Sequence, residues 1–123
     1  MVILFALLLL WVPEPAIQFS NADARILVRN APGVGELAEK CVLLNESRLP
    51  NDKNVVLFMV YSKCGKPAAS NLVGPYYVDL RTGAVRVGDP DNEPEQSQRL
   101  KQVRESLLRK KAAAKTSGKA RTK

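Results

Sequence analysis

The chain has 123 residues, enough for one small domain, and carries 19 Lys and Arg against 12 Asp and Glu for a net charge of +7. It contains no histidine and two cysteines, which excludes Ser–His and Cys–His nucleophile pairs and an ordinary four-ligand structural zinc site. The charge is unevenly placed: ten Lys or Arg and one acid, Glu105, lie between Arg99 and Lys123, giving 10 − 1 = +9 there and 7 − 9 = −2 for residues 1–98.

Residues 2–12, VILFALLLLWV, are continuously apolar. Crossing a hydrocarbon core takes about 20 helical residues, so this run has the length of a signal-peptide apolar region. PEPAIQFSNADA follows as a polar, helix-breaking stretch. Within it Ala22 and Ala24 form an A-x-A frame, and cleavage there would leave Arg25 first. A signal peptide normally carries Lys or Arg before the apolar run, and here only Met1 precedes it. Residues 1–24 are therefore read as a signal peptide or weak N-terminal anchor, which implies an exported, periplasmic or secreted protein, membrane-anchored if the leader is not cleaved. A buried hydrophobic helix is the plainer alternative.

Export sets the reading of Cys41 and Cys64. In an oxidising compartment the pair is expected to form a disulfide worth about 3 kcal/mol; otherwise they are two buried thiols. Residues 33–49 place Leu37, Cys41 and Leu44 at i, i+4 and i+7, which predicts a helix with Cys41 facing the core. Asn54 to Ser62, NVVLFMVYS, is a nearly continuous apolar run and predicts a strand covered on both faces. A loop follows, punctuated by Gly65, Pro67 and Gly74.

In YYVDLRTGAVRV, Tyr76 to Val87, residues alternate with the strand period of two. Thr82–Gly83 turns the chain, with Gly83 at a position needing positive φ. The fold class is thus α+β, one helix packed on a three-stranded antiparallel sheet within residues 25–92. Alternation places Tyr77, Asp79 and Arg81 on the outward side as a candidate partner contact; ordinary cross-strand packing is the competing account. GDPDNEPEQ reads as a turn and helix start rather than a calcium loop, lacking the alternating acids of a twelve-residue site. A basic amphipathic helix is expected over 93–112 with an apolar stripe of Leu100, Val103, Leu107 and Leu108, then a disordered basic tail over 113–123.

The hairpin resembles the closing hairpin of PepSY-type domains, in which a strand ending in Val-Asp leads through Thr-Gly into a short strand. The matching residues are Tyr77, Val78, Asp79, Thr82, Gly83 and Val85. The resemblance implies a small exported or envelope-associated domain that binds or restrains partner proteins, and it assigns no functional residue. No carboxylate, lysine or tyrosine constellation points to catalysis, and no cofactor or metal is expected. The chain is accordingly expected to be a non-enzymatic binding protein, an inhibitor or immunity-type protein acting on an envelope protein. The alternative is a charge-driven binder of an anionic polymer or membrane surface acting through the basic tail, with no specific nucleic acid.

Overall fold

A computed structural model of the chain describes the backbone of residues 16–64 and 71–121, with side chains up to residue 114. The apolar run 2–12 and the centre of the predicted loop, residues 65–70, lie outside the described residues, as do Thr122 and Lys123. The architecture is α+β: a four-stranded antiparallel sheet with two helices on one face.

Helix α1 spans Asn21–Arg29. Ser20 caps it: the Asp23 N–H donates to Ser20 Oγ (3.1 Å) and the Ser20 N–H to the Asp23 carboxylate (3.0 Å), a reciprocal capping box that satisfies two otherwise orphaned donors. Ala24, Leu27 and Val28 face inward and are fully buried. The domain boundary expected after Ala24 falls inside this helix. That position is the first buried turn of a core helix, and Phe19 upstream is 1% exposed. A chain beginning at Arg25 would lack the cap, Phe19 and Ala24.

The helix expected over 33–49 is overturned. A 3₁₀ turn, Glu39–Cys41, leads into strand β1, Val42–Leu49. Helical spacing of Leu37, Cys41 and Leu44 loses to tertiary pairing: β1 runs antiparallel to β2, Asp52–Ser62, from Val42↔Ser62 to Arg48↔Val56. The Cys41–Cys64 disulfide, with Cα atoms 5.0 Å apart, ties the open end of this hairpin, so its loop-closure effect falls on a pairing that local propensity does not favour. Strand β3, Leu72–Asp79, pairs with β2, and β4, Val85–Val87, pairs with β3. The sheet has four strands rather than three because residues 42–49 join it.

The predicted closing hairpin is present. Tyr76, Val78, Leu80 and Val85 point into the core, with Tyr76↔Val87 and Val78↔Val85 in register. Gly83 takes φ +76°, and a Cβ there would stand 2.8 Å from the Phe19 ring, so the turn needs glycine for both conformation and space. Gly33, at φ +86°, is likewise pressed by the Tyr76 hydroxyl, which donates to the Pro32 carbonyl at 2.9 Å. Burial first, then the charges of Glu95 and Glu36, raise the Tyr76 pKa.

Helix α2 spans Gln98–Arg121. It begins later than expected because Glu95 is taken up in pairing its N–H with the Val85 carbonyl; Glu93 and Glu95 thus precede the helix rather than fill its first turn. Ser97 supplies the cap, accepting from the Leu100 N–H. The backbone remains helical through Arg121, so the tail expected to be disordered from 113 is helical over its described part. Once Leu100 and Leu107 anchor a nucleated helix, the alanines at 112–114 extend it at little cost.

The two helices are locked by Lys111. Its ammonium lies 2.6 Å from the Asp23 carboxylate, donates to the Gln18 carbonyl at 2.6 Å, and sits 5.7 Å from the Phe19 ring centroid. Burial alone would raise the Asp23 pKa, but Lys111 and the Ser20 donors outweigh it and hold the carboxyl below its ordinary value.

Two outcomes are expected in urea unfolding. Phe19→Ala should lose about 3–5 kcal/mol, as for other aromatic-to-alanine core truncations; a loss below 1 kcal/mol would contradict the core assignment. Asp23→Asn should cost about 1 kcal/mol at neutral pH. Because the native carboxyl binds its proton at lower pH than the unfolded chain does, that difference should be complete at neutral pH. It should close as the pH falls below about 4, through the native value.

Candidate functional site

The sheet has two unlike faces. On the inner one, Val56, Phe58 and Val60 of β2 are fully buried under the helices. On the other, Val55, Leu57, Met59 and Tyr61 alternate with them and are only half-buried, with no covering element among the described residues. Among the described residues, the covering expected on both faces of β2 is found on its inner face alone.

Register extends this outer face across the sheet. Leu57 stands opposite Ser47 on one side and Tyr77 on the other, Tyr61 opposite Leu43 and Leu72, and Met59 opposite Pro75. Leu43 and Leu72 are exposed to 43% and 44%. Chain alternation alone produces the arrangement: every second residue of an antiparallel strand must point away from the helices.

The structure brings Tyr77, Asp79 and Arg81 together at one end of this face. They line a recess of about 360 Å³ with Asp52, Val55 and Arg86. Arg81 grips Asp79 with two nitrogens (3.0 and 3.2 Å) and reaches Asp52 at 2.8 Å. The Asp79 carboxylate also accepts from the Arg81 backbone N–H at 2.9 Å, an Asx turn that shapes the start of the β3–β4 connection. Hydrogen bonding to Asp79, and then the charges of Asp79 and Asp52, raise the Arg81 pKa further above its already basic value.

Asp79 and Arg81 thus have a structural task as well as a place on the face, with side chains exposed to only 15% and 17%. Tyr77 and the apolar row beside it are the accessible part. Asp52, Leu57 and Met59 were not legible as site residues. The signal for the last two was present in NVVLFMVYS, a strand apolar on both faces.

The recess gathers Asp52, Asp79 and Asp91 against Arg81 and Arg86, an excess of one carboxylate that suits a cationic group. Asp89, in the segment weighed as a calcium loop, accepts from the Asp91 N–H in a turn, and no cluster of three metal-ligating side chains is found among the described residues. Among these residues, too, no helix is long and apolar enough to cross a membrane. The Cys41–Cys64 bond is compatible with an exported protein. Comparison with known protein families, curated proteins and solved structures finds no match to the chain.

Arg81→Ala should cost about 1–3 kcal/mol, since it leaves two carboxylates adjacent and removes three charge-assisted bonds. Asp52→Asn, at a more exposed partner, should cost under about 1 kcal/mol. Chemical denaturation of the two variants separates them, and equal losses would show that Asp79 is not the principal partner.

Proposed function

We propose that the protein is a small exported, non-enzymatic binding module that masks a partner protein in the cell envelope, as an inhibitor or immunity-type protein does. The observation that carries this reading is the outer sheet face. Leu57, Met59, Tyr61 and Tyr77 form an apolar row that neither helix covers, bordered by the charged group Asp52–Asp79–Arg81.

A half-exposed apolar row with a polar border has the anatomy of a protein interface, where a desolvated centre supplies affinity and a charged rim selects orientation. Tyr77 is the natural anchor, since an aromatic ring buries much area at low conformational cost. The carboxylate excess in the recess suits a lysine or arginine of the partner. The resemblance of the hairpin to PepSY-type domains agrees with a partner-binding role, though it assigns no part in it to any residue.

A photo-crosslinking residue at position 59 should yield an adduct with one envelope protein, lost when Leu57→Arg is added. Leu57→Arg itself should leave the midpoint of unfolding within about 0.5 kcal/mol of the parent, as surface changes do. An adduct insensitive to Leu57→Arg, or one formed equally from position 105 on α2, would refute docking through this face.

A further inference from the structure

We propose that an extended acidic segment of another protein adds to this sheet as a further strand, pairing antiparallel with the edge of β1 and setting its carboxylates against the arginines of α1. The site is on the helix side of the sheet, so it is separate from the outer face and does not depend on it.

The two edges of the sheet differ. With the order β1-β2-β3-β4, β1 and β4 each have one strand neighbour. On β4 the outward carbonyls are taken: Val85 accepts from the Glu95 N–H and Val87 from Asn92 Nδ2, both at 2.7 Å. On β1 they are not. The Lys63 N–H donates to the Cys41 carbonyl at 2.6 Å, while the Ser62 N–H turns the other way, to Asn71. Antiparallel alternation then points the backbone groups of Leu43, Asn45 and Ser47 at β2 and those of Leu44 and Glu46 outward. Among the described residues nothing bonds the outward N–H and C=O groups of Leu44 and Glu46, and Asn45 to Arg48 are exposed. Such a row is a template for an extended chain.

The second observation is the charge beside that edge. Leu44 and Glu46 stand opposite Val60 and Phe58, so their side chains lie on the helix side. There α1 presents Arg25 and Arg29, four residues apart and therefore on one face. Two recesses of about 350 and 330 Å³ share Arg25, Arg29 and Glu39; the first extends to Arg99, the second to Val42 and Leu44. Arg25 meets Glu46 at 3.2 Å. Arg29 donates to the Val34 carbonyl at 3.2 Å, and Arg99 to Asn30 Oδ1 at 2.8 Å and the Gly35 carbonyl at 3.4 Å. Neither Arg29 nor Arg99 forms an ion pair with a described residue. These contacts hold the side chains in place and leave further N–H donors on each guanidinium.

Strand geometry links the two observations. Residues paired across an antiparallel ladder share a face. The residues of an added strand that bond Leu44 and Glu46 therefore set their side chains beside Arg25 and Arg29. The recesses hold three guanidiniums against the one carboxylate of Glu39, and counting Glu46 against Arg25 still leaves a cation in excess. Carboxylates at alternate positions match this charge, since arginine takes them in bidentate pairs. The β1 strand of a second copy would bring Arg48 along with Glu46, so charge favours a different, acidic segment. A nucleic acid has no alternating backbone amides to bond the edge.

Fluorescence anisotropy of the full chain with a fluorescein-labelled octapeptide of alternating glutamate and threonine tests this. The peptide should bind, more weakly as salt rises, and its lysine-for-glutamate counterpart should not. Methylating the glutamate backbone nitrogens should weaken binding by about tenfold or more, because those N–H groups face β1. Methylating the threonine nitrogens, which face away, should leave binding unchanged. R25Q combined with R29Q should also weaken binding by about tenfold, with circular dichroism showing the fold retained. Absence of binding by the glutamate peptide would overturn the proposal, as would equal effects of the two methylation patterns or undiminished binding by the double variant. Displacement of the peptide by duplex DNA at matched charge would mark a general anion site and overturn it too. A dimer of the protein alone that the peptide dissociates would give the edge to a second copy, with the same consequence.

Discussion

The burial of Phe19 is the contact on which most of the structure converges. Its ring lies against Gly83, in the turn of the closing hairpin, and beneath the Lys111 ammonium. The N–H groups of Gln18 and Phe19 both reach the Leu80 carbonyl at 3.0 Å. One aromatic side chain therefore touches the segment before α1, the turn joining β3 to β4, and the last anchored turn of α2. Its own burial is worth about 2–3 kcal/mol. Its larger effect is to fix where three distant segments meet, which is why the hairpin turn has no room for a Cβ.

That convergence also determines which sheet face the two helices leave uncovered. Both helices lie on the side of Phe58, held there by Lys111–Asp23 between them and by Arg25–Glu46 from α1 to β1. A chain of this size supplies one helical layer. A strand as apolar as Asn54 to Ser62 then has a second face that no described element covers. Exposed apolar area of that kind is costly to solubility unless it is used, and the ion-paired Asp52–Asp79–Arg81 group lies beside it.

Much of the fold was legible from local pattern. The period of two in Tyr76–Val87, the glycine turn and the stripe Leu100–Leu108 are properties of short segments, and each is present. The helix expected at 33–49 failed because its apolar spacing suits both helix and strand, and pairing with β2 together with Cys41–Cys64 selected the strand. The leader boundary expected at Ala24 falls inside α1. The A-x-A frame in Asn21–Ala24 coincides with a capping box, Ser20-x-x-Asp23, which was equally visible and identifies a helix start. Of the outward trio, Tyr77, Asp79 and Arg81 do come together. Asp52 joins them only through the β2–β3 register, which no local pattern encodes.

By itself, then, the sequence determined the hairpin, the cysteine pair, the charged C-terminal helix and the apolar run, because each depends on residues close together in the chain. Only the tertiary structure decided that residues 42–49 form a fourth strand, that Phe19 and Ala24 belong to the core, and that both helices lie on one face of the sheet. These depend on free energies of contact between segments far apart in sequence, such as the 93 residues separating Gln18 from Lys111. Local propensities are small beside such contacts, and they yield wherever burial and pairing favour another conformation.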